Sequence, residues 1–386
     1  MVLHALLTSW LPPALASEAE VVRRHRFLPV PVIKVEPGAG FTTGVRGRYV
    51  YREPEDRLNR INLDVVSRVS VRRVQQHDIR LRMRDLWHRD EVVDVNFRFD
   101  DDPVFTYVGI ANEDRLDNAA IVDETFEAHR FSISPDVNVQ FVLARKARPA
   151  EMGPTAFLRG FVGWTWSLDR FTAEPGTQFA QDQPQPTGTT KRGTWYGGVA
   201  WDSRDNDWHP TRGGFHDVSV AAGGPWALGD TYWSRFNASF RHYAPLGSKR
   251  LVLAQQVLAE FQGGNVPLIP LGEFSGLVFR DGVGGVDIGR GFFRRRFIGR
   301  RKAAGSTELR IQAGRFNLGP FTFEPGIKPF IDAAWVQDTP APLPSGLHLS
   351  GGAGIYVVWD DFEVIRADLA VSPEGMVFLL AADHAF

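Results

Sequence analysis

Polar and apolar side chains alternate along much of this chain with a period of two residues. Ile79, Leu81 and Met83 alternate with three arginines, and the same alternation is present over residues 93–99 and 235–241. A period of two places the apolar residues on one face of a sheet and the polar residues on the other. The pattern therefore predicts β-strands with one apolar face and one strongly charged face.

About sixteen such segments can be separated by turn signals. We place them at residues 40–51, 59–72, 76–87, 91–100, 124–134, 136–146, 156–168, 194–203, 213–223, 231–243, 250–262, 304–315, 321–336, 346–358, 361–371 and 375–386. Two long loops are predicted, at 169–193 and 263–303. A closed sheet of about sixteen strands encloses a lumen too wide for side chains to fill, which favours a polar interior and a lipid-facing exterior. The predicted fold is all-β, a transmembrane antiparallel β-barrel over residues 39–386.

Composition narrows the class of protein further. The 386 residues include no cysteine and 11 tryptophans, and the formal net charge is -1. The lack of cysteine excludes disulfides and thiolate metal sites, and the small net charge argues against a nucleic-acid-binding protein. Outer-membrane barrels place aromatic residues at the bilayer interfaces, so the tryptophan content agrees with a barrel.

The N-terminal residues predict export. Residues 1–16 are apolar and end in Ala14-Leu15-Ala16, which is typical of a signal peptide, although no Lys or Arg precedes the apolar stretch. An apolar N-terminal tail is the alternative. Residues 17–38 are expected to form a periplasmic segment too short for a separate domain.

The C-terminal residues continue the alternation. Phe378, Leu380, Ala382, His384 and Phe386 would share one face of the last strand. A final aromatic residue is typical of outer-membrane barrels, so we expect Phe386 to act as a C-terminal barrel signal. A soluble secreted β-protein would also alternate, but the density of charge on one strand face favours the membrane barrel.

Three segments resemble the BamA/TamA superfamily of outer-membrane assembly and secretion barrels, also called the bacterial surface antigen family. Residues 196–214 resemble its Asp-x-Arg-Asp strand end with the following Pro-x-x-Gly, residues 285–310 its Arg-Gly-Phe loop and the next strand, and residues 330–386 its last strands. The chain resembles short members without N-terminal POTRA repeats. One departure is Gly289, where the family usually has a branched apolar residue, and it predicts a looser loop tip.

The resemblance implies that loop 263–303 folds into the lumen, where Arg290, Gly291 and Phe292 form a strut. An arginine fork can pair bidentately with a carboxylate, and glycine permits close approach of the backbone. Strand parity places Asp332 and Asp368 inward, and we expect Asp332 to be the first partner of Arg290. We expect Asp202 or Asp205 to be a further inner-wall contact of Arg290. The other candidate site residues are Arg204 on the inner wall, and Glu308 and Arg310 on the strand after the loop.

The resemblance also implies a function in protein assembly or translocation at the bacterial outer membrane. The expected partners are outer-membrane lipid, unfolded or secreted protein substrates and a periplasmic protein. A structural or pore-forming barrel without insertase activity is the alternative. The chain has no Gly-x-Ser-x-Gly motif and no complete calcium-binding loop, so we expect no enzymatic activity, no metal and no cofactor.

Overall fold

The computed structural model describes residues 25–36, 38–51, 59–112, 114–118, 121, 123–147, 156–185, 188–319, 321–340, 345–360 and 363–386. The predicted signal peptide, residues 1–16, lies outside these ranges. No helix in the described ranges is long and apolar enough to cross a membrane.

Strands make up most of the described chain. They are β1 (His25–Glu36), β2 (Gly40–Tyr51), β3 (Ile61–Ser70), β4 (Gln75–Arg84), β5 (Val92–Thr106), β6 (Glu127–Lys146), β7 (Ala156–Thr172), β8 (Gly188–Asp202), β9 (Gly213–Gly223), β10 (Trp233–Pro245), β11 (Leu251–Gly264), β12 (Glu273–Ser275), β13 (Phe279–Asp281), β14 (Arg301–Gln312), β15 (Phe316–Leu318), β16 (Phe321–Gln337), β17 (Leu347–Trp359), β18 (Glu363–Ser372) and β19 (Gly375–Ala382). Two short helices, α1 (Gln178–Asp182) and α2 (Leu268–Leu271), lie in loops.

The strands form a closed antiparallel barrel in which each wall strand pairs with its neighbours along the chain. Sixteen strands build the wall: β1–β11, β14 and β16–β19. The short β15 pairs with β16 and is not counted as a wall strand, and β12 and β13 form a separate hairpin. Five wall strands follow the long loop, as predicted. We call the end of the barrel where β1 begins and β19 finishes the terminal end, and the opposite end the loop end.

Two strand predictions were wrong, and their errors cancel in the strand count. The predicted strands 124–134 and 136–146 are one strand, β6, because Pro135 stays in register with Phe97 and does not break the ladder. The predicted barrel start at residue 39 is too late, since β1 pairs with β2 over its whole length. Proline is tolerated at an edge or wherever its missing N–H is not needed, so Pro29 and Pro31 did not exclude a strand.

The outer wall is apolar and the lumen is ionic. Ile79, Phe97, Phe141 and Phe378 point outwards and are 42–52% exposed, whereas the inward-facing Asp78, Asp94 and Asp100 of β4 and β5 are 4–6% exposed. A soluble β-protein would have the reverse arrangement, so this distribution of side chains is that of a membrane barrel.

Aromatic side chains lie near both ends of the outer wall. Toward the terminal end, the ring of Phe323 stacks on Phe316 and Trp359, with centroid distances of 5.5 and 5.7 Å. Toward the loop end, the rings of Trp164 and Trp195 are 6.5 Å apart. Such belts mark the two interfaces of a bilayer.

The end of the chain departs from the predicted last strand. β19 ends at Ala382, and at Asp383, with a φ of +64°, the chain turns into the lumen. Phe386 is only 6% exposed and packs on Tyr243, Val252 and Ala254 of β10 and β11. The prediction that Phe386 shares one face of the last strand with Phe378 and Leu380 is therefore wrong.

Candidate functional site

The long loop between β11 and β14, residues 265–300, folds back into the lumen, and we call it the internal loop. Its tip is a tight turn in which the N–H of Phe292 donates to the carbonyl of Gly289 at 3.2 Å. Gly291, the third residue of this turn, has a φ of +100°, and a Cβ there would lie 3.2 Å from the carbonyl carbon of Val371. The carbonyl of Gly291 accepts a hydrogen bond from the hydroxyl of Ser372 at 2.7 Å. Glycine at 291 thus allows the loop tip to contact β18 directly.

The presence of glycine at position 289 is also explained by its backbone conformation. Its φ is +64°, and a Cβ would lie 3.1 Å from a methyl group of Val283. A branched residue is disfavoured in that left-handed region. The departure from the family pattern therefore accompanies a turn that needs glycine.

Arg290 is the centre of the site. Its side chain is fully buried, and its Nε and Nη2 donate to the two carboxylate oxygens of Asp332, both at 2.8 Å. The backbone N–H of Arg290 also donates to Asp332, at 3.0 Å. Nη1 donates to Glu308 at 2.5 Å, and the guanidinium lies 3.6 Å from the centre of the Phe330 ring. The pairing of Arg290 with Asp332 agrees with the expectation from strand parity.

Further charges join Arg290 to the barrel wall. The ammonium of Lys328 bridges Glu308 at 3.2 Å and Asp368 at 3.0 Å. Arg366 binds Asp368 at 2.5 Å. Asp368 itself lies 3.8 Å from Nη1 of Arg290. The guanidinium is therefore held by β14, β16 and β18 together.

The network continues toward the terminal end and back to the internal loop. Arg310 donates to Glu308 at 2.9 Å, and Arg366 donates to Asp287 of the internal loop at 2.7 Å. Each cation faces an acid, so the ionic groups in this dry part of the lumen compensate one another. Removal of one member would leave a buried charge unpaired, which costs about 3–5 kcal/mol for a pair that is fully excluded from water.

Phe292 fixes the apolar side of the loop tip. It is 2% exposed and meets the ring of Phe297 edge to face, with centroids 5.1 Å apart. Both belong to a buried cluster that includes Val283 and Ile288 of the loop and Ala334 of β16. The motif thus combines a buried ion pair, a close backbone contact and an apolar anchor.

The other predicted inner-wall residues make contacts of their own, away from Arg290. Asp202 binds Arg204 at 2.8 Å. Asp205 stabilises the turn at 203–212, where it accepts hydrogen bonds from the hydroxyl and the N–H of Thr211 at 2.6 and 2.9 Å. The expected contact of Asp202 or Asp205 with Arg290 is therefore wrong.

Lys328, Phe330 and Arg366 belong to the site but were not predicted. The signal was present in the sequence, because Lys328 and Phe330 have the same inward parity as Asp332, and Arg366 has the parity of Asp368. Parity alone cannot decide which of several inward residues touch one guanidinium, since that depends on how deep the loop reaches.

The junction of β1 and β19, here called the seam, is the weakest contact in the wall. Among the residues that the structure describes, it contains one residue pair, Val35 with Leu380, whereas β1 forms twelve pairs with β2 and β19 forms eight with β18. Inside the lumen, Arg46 of β2 reaches across the seam to Glu363 of β18 at 3.2 Å. Arg48 of β2 also binds Glu363, at 3.2 Å, and Arg46 also binds Asp383, at 3.4 Å. Few backbone contacts and a group of ion pairs therefore close the barrel.

Comparison with known proteins agrees with this geometry. The crystal structure of BamA from Haemophilus ducreyi lacking POTRA domains 1–3 matches with a TM-score of 0.55 and 13% identity, over 93% of this chain and 70% of that one. CdiB from Escherichia coli matches with a TM-score of 0.59 and 12% identity, over 92% of this chain and 62% of that one. CdiB from Acinetobacter baumannii matches with a TM-score of 0.52 and 13% identity, over 94% and 60%.

These likenesses show a shared fold, and this chain spans less than two thirds of either CdiB chain. No curated protein sequence matches it. Residues 155–373, more than half of the chain, match the Omp85 superfamily domain. The chain therefore belongs to the Omp85 superfamily.

Proposed function

We propose that this barrel works in the bacterial outer membrane as a protein-assembly or protein-translocation barrel, with the seam as the site that opens. The observation that carries the proposal is that β1 and β19 share a single residue pair in the described part of the chain. A strand edge with unpaired N–H and C=O groups is a template for an incoming strand. An opened seam would offer two such edges to a protein substrate or release it sideways into lipid.

The filled lumen supports a gated barrel over an open pore. The internal loop occupies the middle of the barrel and is fastened there by the buried Arg290 network. In this proposal the loop braces the wall strands β14, β16 and β18, so that movement is confined to the seam. The terminal end would face the periplasm, where a partner protein could deliver unfolded substrate.

A disulfide across the seam tests whether it must open. Val35 and Leu380 are direct partners in an antiparallel pair, and Cα atoms in such pairs lie about 4.5–5.5 Å apart, within reach of a disulfide. The chain has no other cysteine, so Val35→Cys with Leu380→Cys gives a single possible bridge. We expect oxidation of this cysteine pair to abolish protein assembly or translocation by the barrel, and reduction to restore it.

The matched control locks two strands that are already fully paired. Leu369 and Phe378 are outward-facing partners in β18 and β19. Leu369→Cys with Phe378→Cys should form a disulfide without loss of activity. If the oxidised seam variant assembles or translocates protein as well as this oxidised control does, the seam does not need to open and the proposal is refuted.

The biological role needs a cellular measurement. Depletion of the protein, followed by outer-membrane proteomics, should lower the amounts of other barrels or of a secreted protein. An unchanged outer-membrane and secreted proteome would count against the assembly role and favour the second candidate.

The second candidate is a structural or pore-forming barrel without insertase activity, and one feature favours it. Pro29 and Pro31 lie in β1, and proline on an edge strand blocks strand addition. Planar-bilayer recordings separate the two: a large steady current favours a pore, and low, flickering conductance favours the plugged, gated barrel.

A further inference from the structure

The part of the lumen in front of β3, β4 and β5 is not filled by the internal loop. The tip of the β12–β13 hairpin lies inside the barrel, where the N–H of Leu277 donates to the buried Asp217 of β9 at 3.2 Å. The next two residues, Val278 and Phe279, are nevertheless 37% and 39% exposed. The ring centre of Phe279 lies 4.7 Å from the guanidinium carbon of Arg98 in β5. A solvent-filled space therefore lies between this hairpin tip and β3–β5, and we call it the side chamber.

Arginines form the wall of the side chamber. Four of them point inwards from adjacent strands: Arg68 of β3, Arg80 and Arg82 of β4, and Arg98 of β5. The side chains of Arg68, Arg82 and Arg98 are 24%, 38% and 31% exposed. Arg80 is also exposed, although its partner in β3 is the inward-facing Asp64. Four guanidinium groups thus reach the solvent of the side chamber.

The acids that pair with these arginines are fewer and more deeply buried. The side chain of Asp78 is 6% exposed and binds both Arg68, at 3.1 Å, and Arg98, at 3.0 Å. The side chain of Asp94 is 9% exposed and binds Arg82 at 2.6 Å. Arg80 has no hydrogen bond or ion pair within the ranges that the structure describes. Two acids therefore serve four cations, and the cations are the groups that face the solvent.

Other carboxylates near the side chamber are engaged elsewhere. Asp64 binds two arginines of β2, at 2.6 and 3.0 Å. Asp136 of β6 accepts hydrogen bonds from neutral side chains of β5 and β8, at 3.0 and 2.9 Å. Asp281 of the hairpin binds two arginines of the internal loop, at 3.4 and 3.0 Å. None of these acids binds Arg80, so its donors are available to a ligand.

The chemistry of the free donors defines the ligand. A guanidinium carries five N–H groups in a rigid fork that matches the two oxygens of a carboxylate or a phosphate. Arg82 uses its Nε and Nη2 on Asp94, whereas Arg80 uses none of its donors. Arg98 lies two residues beyond the β5 partner of Arg80, and such diagonal neighbours have Cβ atoms about 7–8 Å apart. The two side chains can therefore approach the same anionic ligand.

We propose that the side chamber is a binding site for an oxyanion, the group that the carboxylates of an acidic polypeptide and inorganic phosphates share. Arg80 binds the oxyanion through two parallel hydrogen bonds, and Arg82 and Arg98 flank it with partly exposed positive charge. Val278 and Phe279 form the apolar border of the site on the side of the internal loop. This site requires no opening of the seam.

A single cysteine at the hairpin tip measures the charge of the side chamber. The chain has no other cysteine, so Val278→Cys gives one thiol that faces this space. We compare an anionic, sulfonate-bearing methanethiosulfonate with a cationic, trimethylammonium-bearing one on the folded barrel in neutral detergent. After division by their rates with free 2-mercaptoethanol, the anionic reagent should react about tenfold faster than the cationic one. Equal rates, or no reaction with either reagent, would overturn the proposal.

Substitution of Arg80 tests its part in the site. Arg80→Gln should lower the ratio of the two rates about fivefold, because one positive charge is lost from a partly hydrated space, whereas Arg80→Lys should retain the ratio. The ratio is insensitive to changes in the reactivity of the thiol itself, which affect both reagents equally. Arg250→Gln removes a charge from the exposed β10–β11 turn and is the matched control. Heat-dependent gel mobility identifies the folded fraction of each variant. A ratio in Arg80→Gln equal to that of the control would contradict the role of Arg80.

Protection of the same thiol identifies the source of the oxyanion. At constant ionic strength, a bound probe should slow the reaction of Val278→Cys with uncharged methyl methanethiosulfonate about tenfold at roughly ten times its dissociation constant. Protection by a tetraglutamate peptide would assign the site to polypeptide carboxylates, and protection by inorganic pyrophosphate alone would assign it to phosphates. Tetraglutamine is the uncharged control. Failure of both anionic probes to protect would overturn the proposal, and because no step depends on the seam, the proposed function would stand or fall separately.

Discussion

Replacement of Arg290 by alanine is expected to release the internal loop while the barrel wall stays folded. The change removes two side-chain hydrogen bonds to Asp332 and one to Glu308. Asp332 then keeps only the backbone N–H of residue 290, at 3.0 Å, whereas Glu308 keeps Lys328 and Arg310. One acid is thus left nearly unpaired.

The free energy lost on this substitution can be estimated from the burial of the three side chains. The side chains of Arg290, Asp332 and Glu308 are all 0% exposed, so water does not compensate for the lost pairing. Breaking a buried pair costs about 3–5 kcal/mol, and the lower end applies because Glu308 keeps two cations. About 3 kcal/mol raises the open fraction of the loop on the order of a hundredfold.

Limited proteolysis of the folded barrel measures this opening. Cleavage within residues 263–303 should be on the order of a hundredfold faster in Arg290→Ala, with heat-dependent gel mobility unchanged. Arg315→Ala is the matched control, since Arg315 is 58% exposed in its ion pair with Glu324 and its loss should change stability by less than about 0.5 kcal/mol. If Arg290→Ala resists protease as well as Arg315→Ala does, the guanidinium is not what holds the loop.

Three further predictions concern the loop tip, the brace across the seam and the histidine pair. Gly291→Ala should accelerate cleavage of the same loop about tenfold or more, because its φ of +100° and the 3.2 Å approach to Val371 disfavour a side chain. Glu363→Gln weakens the brace to Arg46 and should make openings in planar-bilayer recordings more frequent, whereas Glu324→Gln should not. Burial, with Arg310 nearby, lowers the pKa of His209 to about 4 and the pKa of His384 well below its usual range. Their neutral forms therefore contribute fully to stability above about pH 6.5, and this contribution is lost as the pH falls toward about 4. The urea concentration at the unfolding midpoint should therefore decrease less over this pH interval in the double variant His209→Gln with His384→Gln than in the unaltered chain.

The alternation of polar and apolar residues within a strand was sufficient to predict which of its side chains face outwards and which face the lumen. The period-two arrangement around Ile79 and Phe97 predicted an apolar outer wall, and it was confirmed. The inward parity of Asp332 also predicted its contact with Arg290, which the structure contains. In both cases, one residue's position in a strand determines which side of the sheet it faces.

Contacts between distant parts of the chain explain two wrong predictions, the missed strand β1 and the position of Phe386. The alternation of Phe378, Leu380 and Ala382 continues through His384 and Phe386, so nothing in the last strand itself predicts that it stops at Ala382. Only when β1 is known to be a wall strand does its register set Phe386 opposite Pro29 and His384 opposite Pro31, two residues without an N–H to donate. Both wrong predictions therefore concern the junction of β1 and β19, which the pattern of a single strand does not describe.

The ionic contacts around Arg290 are an argument for a loop that has one fixed position. Phe292 and its apolar neighbours bury the loop tip, but apolar contact is not directional. Arg290 fits between Asp332 and Glu308 through directional bonds, so the ionic network determines where the loop lies. A loop fixed in this way holds β14, β16 and β18 together and leaves the seam as the junction that can open. This favours the gated seam over a passive wall.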